Sequence, residues 1–203
     1  MNLLGRHLTG LASFSGRENR QPFWLWILIV YAVQMVVGMI VMIPIMMGMI
    51  ERMAPLMQGD PHRFDDHPEL VMQMMTPMMS NIMVFAAIMA VVWLVLIGAA
   101  VVRRLHDGNR SGWWAAPVFA CHVVMPLFYV SVMPRFFETF GTIRPGMTPD
   151  QVNAQMLPMM HSFGWLWLLG MVSFLMMIVL IVFLCLPGTQ GVNRYGEDPL
   201  AFA

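Results

Sequence analysis

Val101-Val102-Arg103-Arg104-Leu105-His106-Asp107-Gly108-Asn109-Arg110-Ser111-Gly112-Trp113-Trp114 is the stretch whose reading decides the fold. It is a charged hinge between two apolar runs. Arg103 and Arg104 close the first run, where positive charge suits the negative end of a helix dipole. Asp107 stands four residues after Arg103 and three after Arg104, so a continuing helix lets it pair with either. Asp107-Gly108 is a turn signal. Ser111 is a candidate N-cap for the helix that follows. Trp113 and Trp114 favour the headgroup level of a bilayer.

The runs on either side of the hinge set the class. Of 203 residues, 59% are hydrophobic and 11% charged, against roughly 25% charged in soluble domains. Four apolar runs, near 22–50, 80–102, 113–133 and 163–186, contain no Asp, Glu, Lys or Arg. Each reaches the roughly 20 residues that cross about 30 Å of hydrocarbon. The expected fold is all-α: an integral membrane four-helix bundle forming a single membrane domain over residues 1–203. Extracytoplasmic loops are expected near 51–79 and 134–162. Prolines 55, 61, 68 and 77 are expected to limit regular helix in the first of them.

Orientation follows from the arginines, which supply all 11 basic residues. Arg6, Arg17, Arg20, Arg103, Arg104, Arg110 and Arg194 fall in 1–21, 103–112 and 187–203. Arg52, Arg63, Arg135 and Arg144 fall in the other two loops. The positive-inside rule therefore places both termini and the hinge in the cytoplasm. Ahead of the first span, Leu4, Leu8 and Leu11 recur at helical spacing and suggest a short interfacial helix. Pro22 suits a first helical turn, and Phe23, Trp24 and Trp26 suit the interface. The first long apolar run reads as a span and not as a cleavable signal. A net charge of zero gives no basic field for nucleic acid. Cys121 and Cys185 differ in expected depth by roughly 10 Å and are not expected to pair.

Three blocks stand out: Phe14-x-Gly16-Arg17-x-x-Arg20-x-x-Phe23-Trp24, the hinge from Arg103 to Trp114, and Pro187-Gly188-x-x-Gly191-x-Asn193-Arg194-Tyr195-Gly196-x-Asp198-Pro199. Together they resemble the bacterial inner-membrane family catalogued as domain of unknown function 805. The resemblance implies a multi-pass protein of the bacterial inner (cytoplasmic) membrane, without an assigned activity. It covers the spans and the cytoplasmic segments and leaves out the two outside loops.

All three blocks fall on the same expected side of the membrane. Arg17, Arg20, Arg103, Arg104, His106, Asp107, Arg110, Asn193, Arg194, Tyr195 and Asp198 form the candidate cytosolic site. Arginine forks suit phosphate geometry, so one reading is binding of anionic lipid or a protein partner. The plainer reading is that these groups set topology and tie helix ends together. His106-Asp107 has no serine or cysteine nucleophile beside it, and catalysis is not expected. Gln34, His122 and Ser173 lie near mid-depth in three spans. They read as interhelical hydrogen bonds or, for a small transporter or channel, as a buried pathway. The 25 methionines are mostly apolar filler, with soft-metal (copper) binding through the outside loops as the alternative. Its candidates are His62, His67, Met72, Met75, Met79, Met156, Met160 and His161. Membrane lipids, a protein partner or a second copy are the expected partners, and no cofactor is called for.

Overall fold

The computed structural model describes residues 3–57, 68–143 and 146–199, with the backbone alone for 55–57 and 68–74. Among the described residues five α-helices follow one another: α1 (Leu3–Thr9), α2 (Arg20–Met57), α3 (Pro68–Asp107), α4 (Ala116–Thr142) and α5 (Pro149–Cys185). A 3-10 turn, Gly112–Ala115, leads into α4. Among the described residues no strand forms beyond one isolated antiparallel bridge, Asn193 to Gly196. Among the described residues four segments are long and apolar enough to cross a membrane: Arg20–Ala54, Met75–Asp107, Gly112–Thr142 and Pro149–Cys185. The fold is all-α with four membrane-spanning helices, as the apolar runs require.

The helices are longer than those runs. The 38 residues of α2 reach about 57 Å at 1.5 Å per residue, well past the hydrocarbon. Most of 134–162 and the described parts of 51–79 are therefore helical, where the sequence suggested loops. Prolines do not stop this. Pro68 is the first residue of α3, a position whose N–H has no helical partner anyway. Pro55 lies within α2, Pro77 within α3, Pro126 and Pro134 within α4, and Pro158 within α5. In lipid the backbone has no water to turn to, so the flanking helix persists around the missing bond. Residues 58–67, with Pro61, His62 and His67, lie outside the described residues.

The single domain expected from the sequence is organised as two compact units. The first comprises 1–35, 89–123 and 169–203. Its core takes residues from all four long helices: Phe23, Trp26 and Val30 of α2, Ile97, Ala100, Val101 and Leu105 of α3, Val118 of α4, and Leu180 and Leu184 of α5. Phe23 and Trp26 are thus core residues and not interfacial ones. The Trp26 indole N–H donates to the Leu96 carbonyl at 2.9 Å, which satisfies its one polar group away from water. Trp24 keeps an exposed face, as do Trp113 and Trp114. The second unit comprises 36–88 and 124–168. There Phe136 packs on Phe140 and Phe163 at ring distances of 4.6 and 5.1 Å.

Many large apolar side chains point outward, Leu28, Ile40 and Leu175 among them. Water would penalise that surface and acyl chains do not. Cys121 and Cys185 are both free thiols.

Orientation is open to a direct check in a background lacking both native cysteines. Ser15 and Glu197 are exposed, and a side chain at Gly141 meets open space. In right-side-out vesicles a membrane-impermeant maleimide is expected to label Gly141→Cys at once. Ser15→Cys and Glu197→Cys should react only after detergent; the reverse pattern would invert the positive-inside assignment.

Candidate functional site

The hinge begins where α3 ends. Asn109 takes the left-handed conformation, φ 55°, which asparagine tolerates better than most residues. The Arg110 N–H then donates to the Leu105 carbonyl at 2.9 Å and the Asn109 N–H to that of His106 at 3.0 Å. This is a Schellman closure of the helix. The turn signal at Asp107-Gly108 is real, but its left-handed residue is Asn109. Ser111 caps the following turn by accepting from the Trp113 N–H.

The closure leaves Asp107 in the last turn of α3, buried at 4% exposure beside Arg104 at 1%. Sequence spacing allowed Asp107 either arginine of its own helix; it takes Arg104, which donates through Nη1 to Oδ2. Its other oxygen, Oδ1, accepts from Arg17 Nε at 3.2 Å and Nη2 at 3.1 Å. Both guanidinium groups then reach the end of α5 and the segment after it. Arg104 donates to the carbonyls of Leu184 and Leu186. Arg17 donates to those of Thr189 and Gly191. The Asp107 carbonyl accepts from both the N–H and the hydroxyl of Thr189, at 2.9 and 3.0 Å. One carboxylate thus joins all three blocks.

Around this centre the blocks close further. The Asn193 amide donates to the His106 carbonyl at 3.0 Å and to Thr189 Oγ1 at 2.8 Å. The His106 ring stacks on Tyr195, centroids 3.7 Å apart, and its Nδ1 lies 3.2 Å from the Gly16 carbonyl. Arg194 lies over the Tyr195 ring and donates to the Asn109 carbonyl. Asp198 accepts from the Gly191 N–H at 3.0 Å. Gly188 approaches so closely that a Cβ there would stand 2.1 Å from Asp107 Oδ2.

A second cluster docks α1. Arg103 turns away from Asp107 and donates through Nε to Glu18 Oε2 at 3.0 Å, and through Nη1 to the carbonyls of Gly10 and Ser13. His7 lies flat on Trp26, centroids 4.7 Å apart. Its Nε2 stands 3.0 Å from Glu18 Oε1, off the line a hydrogen bond needs, so both atoms are buried without one. Burial pushes His7 down to about 4, and the Arg103 charge pushes the same way. Burial raises the Glu18 carboxyl, against the pull of Arg103. Leu4 and Leu8 face outward while His7 is the buried residue of α1; of the leucine stripe that suggests the helix, only Leu11, just past its end, packs against the core.

Of the candidate cytosolic residues, Arg17, Arg103, Arg104, His106, Asp107, Asn193, Arg194, Tyr195 and Asp198 make contacts within the joined blocks. Arg110 stacks on Phe183 with its charge 4.5 Å from the ring centre. Arg20 is exposed, and among the described residues its guanidinium has no hydrogen-bond or carboxylate partner. Sequence reading missed His7, Glu18 and Thr189. Glu18 had a signal, as the only acidic residue in 1–21; Thr189 had none. Of the mid-depth groups, Gln34 Oε1 and His122 Nε2 are buried without a hydrogen-bond partner, so the expected interhelical bonds are not made by those atoms. Ser173 is half-buried on α5. Among the metal candidates, His62 and His67 lie outside the described residues and the Met72 side chain is undescribed. Met75 and Met79 lie on α3, and Met156, Met160 and His161 on α5. Among the described residues no three His, Cys, Asp or Glu side chains gather as a metal site.

The family model described as protein of unknown function (DUF805) matches residues 11–143 and 160–197. The inner membrane protein YhaI of Escherichia coli strain K12 is 24% identical over 192 residues, 95% of this chain and 90% of that protein. YhaI of E. coli O157:H7 matches to the same extent. No solved structure matches.

Two predictions follow from the charges. Asp107→Ala leaves two buried guanidinium groups unmatched and should destabilise the folded chain by about 3–5 kcal/mol, read as a lower unfolding midpoint in detergent; Gly188→Ala should lower it too, while Gly141→Ala should not. His7 holds its proton less well folded than unfolded. Its contribution is complete above pH 6.5 and is lost as pH falls from 6.5 through about 4. Glu18, with a raised value, acts in the opposite sense. The stability of His7→Gln should therefore fall less steeply than wild type between pH 6.5 and 4.

Proposed function

The chain belongs to the family described as proteins of unknown function (DUF805) and is a multi-pass inner-membrane protein; from that premise we propose that its joined blocks face the cytosol and hold anionic lipid. The observation that carries this reading is a division among the arginines of that side. Arg17, Arg103 and Arg104 spend their N–H groups on Asp107, Glu18 and backbone carbonyls. They are internal fasteners. Arg6 and Arg20 are exposed and, among the described residues, bond to no carboxylate. Among the described residues Arg110 and Arg194 bond only to carbonyls and aromatic rings.

The unspent arginines accompany residues that sit at headgroup level. Arg20 opens α2 one turn before the exposed Trp24, and Arg110 precedes Trp113, which is 82% exposed. Arg6 shares α1 with the outward Leu4 and Leu8. Each such cation near an anionic leaflet contributes about 1 kcal/mol. The arrangement supports a scaffold role at the cytosolic leaflet, and among the described residues it offers no nucleophile and general base in hydrogen-bond reach of one another.

Lipid content separates the two classes of arginine. Combining Arg6→Ala, Arg20→Ala and Arg110→Ala should lower the anionic lipid that co-purifies with the chain several-fold at an unchanged unfolding midpoint. Arg104→Ala should lower the midpoint instead. Wild-type lipid content in the triple variant would end the proposal.

A further inference from the structure

Within the unit of 36–88 and 124–168, α2 and α3 line a cavity of about 160 Å³. Pro44, Gly48, Met49 and Arg52 face it from α2, and Met78 and Asn81 from α3. A cavity of about 150 Å³ takes a molecule the size of benzene, so this one has room for a small polar group. Its depth follows from the helix rise. Counted from Arg20 at about 1.5 Å per residue, Pro44 and Arg52 stand about 36 and 48 Å along α2. Counted back from Asp107 on the same rise, Asn81 and Met78 stand about 39 and 44 Å along α3. Both counts pass the roughly 30 Å of hydrocarbon and reach the headgroup layer of the leaflet opposite the joined blocks.

Of the described residues that line the cavity, Arg52 alone is charged. Arg52 and Asn81 are exposed, and among the described residues neither side chain has a hydrogen-bond or carboxylate partner. Helical side chains lean toward the N-terminus of their helix. Arg52 therefore covers the turn at Gly48, which has no side chain to fill the space; a Cβ there meets no atom within 4 Å. The next span runs back across the membrane, so Asn81 leans toward Met78, and the two polar residues converge on one depth. The remaining walls are thioether and proline.

A ligand that fits carries an anion for Arg52, hydrogen-bonding atoms for Asn81 and apolar mass for Met49 and Met78. A guanidinium fork suits phosphate oxygens, and an amide takes either a donor or an acceptor. At headgroup depth these parts occur together in a phospholipid. We propose that this cavity seats the phosphodiester of one lipid in that leaflet, with Arg52 on the phosphate and the glycerol end against Met49 and Met78. The proposal does not rest on lipid binding at the joined blocks. The same phosphodiester is available without acyl chains in soluble glycerophosphoglycerol.

The test uses the full chain in detergent micelles, with lipid occupancy read by native mass spectrometry. Phosphatidylglycerol, diacylglycerol of the same chains and glycerophosphoglycerol are titrated separately. Arg52→Gln should weaken one phosphatidylglycerol about tenfold, the usual worth of one charged hydrogen-bonded contact. Gly48→Leu leaves every charge in place and fills the cavity, and it should weaken the same lipid at least as much at an undiminished unfolding midpoint. Arg52→Lys should keep part of the affinity. Arg135→Gln, on an exposed arginine of α4 that does not line the cavity, should change nothing. The chain with Arg6→Ala, Arg20→Ala and Arg110→Ala should keep this lipid, so the two leaflets are read separately. Wild-type binding in both Arg52→Gln and Gly48→Leu would refute the seat, and so would an equal loss in Arg135→Gln. Diacylglycerol binding as tightly as phosphatidylglycerol would overturn the role of the phosphate. Arg52-dependent binding of glycerophosphoglycerol as tight as that of the lipid would uphold the phosphate chemistry and overturn its membrane source.

Discussion

Asp107 sits at the end of a 40-residue apolar helix with 4% of its surface exposed, and two arginines hold it there. Removing a carboxylate from water is costly, and the cost is offset only when the partner geometry satisfies its oxygens. Here Oδ2 meets Arg104 of the same helix and Oδ1 meets Arg17 from the segment before α2. The arginines in turn need acceptors, and they find them in carbonyls from Leu184 to Gly191. Those carbonyls belong to the last turn of α5 and to the backbone after it, and have no helical N–H to accept from. One interaction therefore fixes the segment before the first span, the end of the second and the segment after the last.

That fixing explains several features that look unrelated. Gly188 is needed because its backbone passes where a side chain would strike Asp107. Gly191 and Gly196, with φ of 72° and 135°, let the chain turn back so that Asn193 and Tyr195 reach His106. Arg103, left over from Asp107, secures Glu18 and the turn after α1. Once these groups are satisfied internally, the remaining arginines are the ones available to the membrane surface. On the reading proposed above, the arginines that the clasp does not consume are the ones that bind.

Much of this was legible in the residues. Four uncharged apolar runs specify the spans because charge in hydrocarbon is expensive. The hinge residues, read by helix spacing, narrow the partner of Asp107 within its own helix to Arg103 or Arg104, and the structure selects Arg104. What spacing cannot show is a partner far away in sequence, so Arg17 and Thr189, about 80 to 90 positions from Asp107, were not assigned to it. Helix ends were misjudged because polarity marks where hydrocarbon stops, not where the backbone stops coiling; α5 starts at Pro149, well before its apolar run. His7 was invisible because the leucines of α1 announced an apolar face. The buried side instead carries an imidazole stacked on Trp26.

Asp107 joins the tail to the hinge, and the Thr189 amide reports on that join alone. Its N–H donates to the Asp107 carbonyl at 2.9 Å in backbone that belongs to no helix. Hydrogen exchange on the full chain in lipid nanodiscs should find that amide strongly protected in wild type. In Arg17→Ala, with the helices still protected, it should exchange orders of magnitude faster. A Thr189 amide that exchanges at the rate of an exposed loop in the wild-type chain would contradict the account.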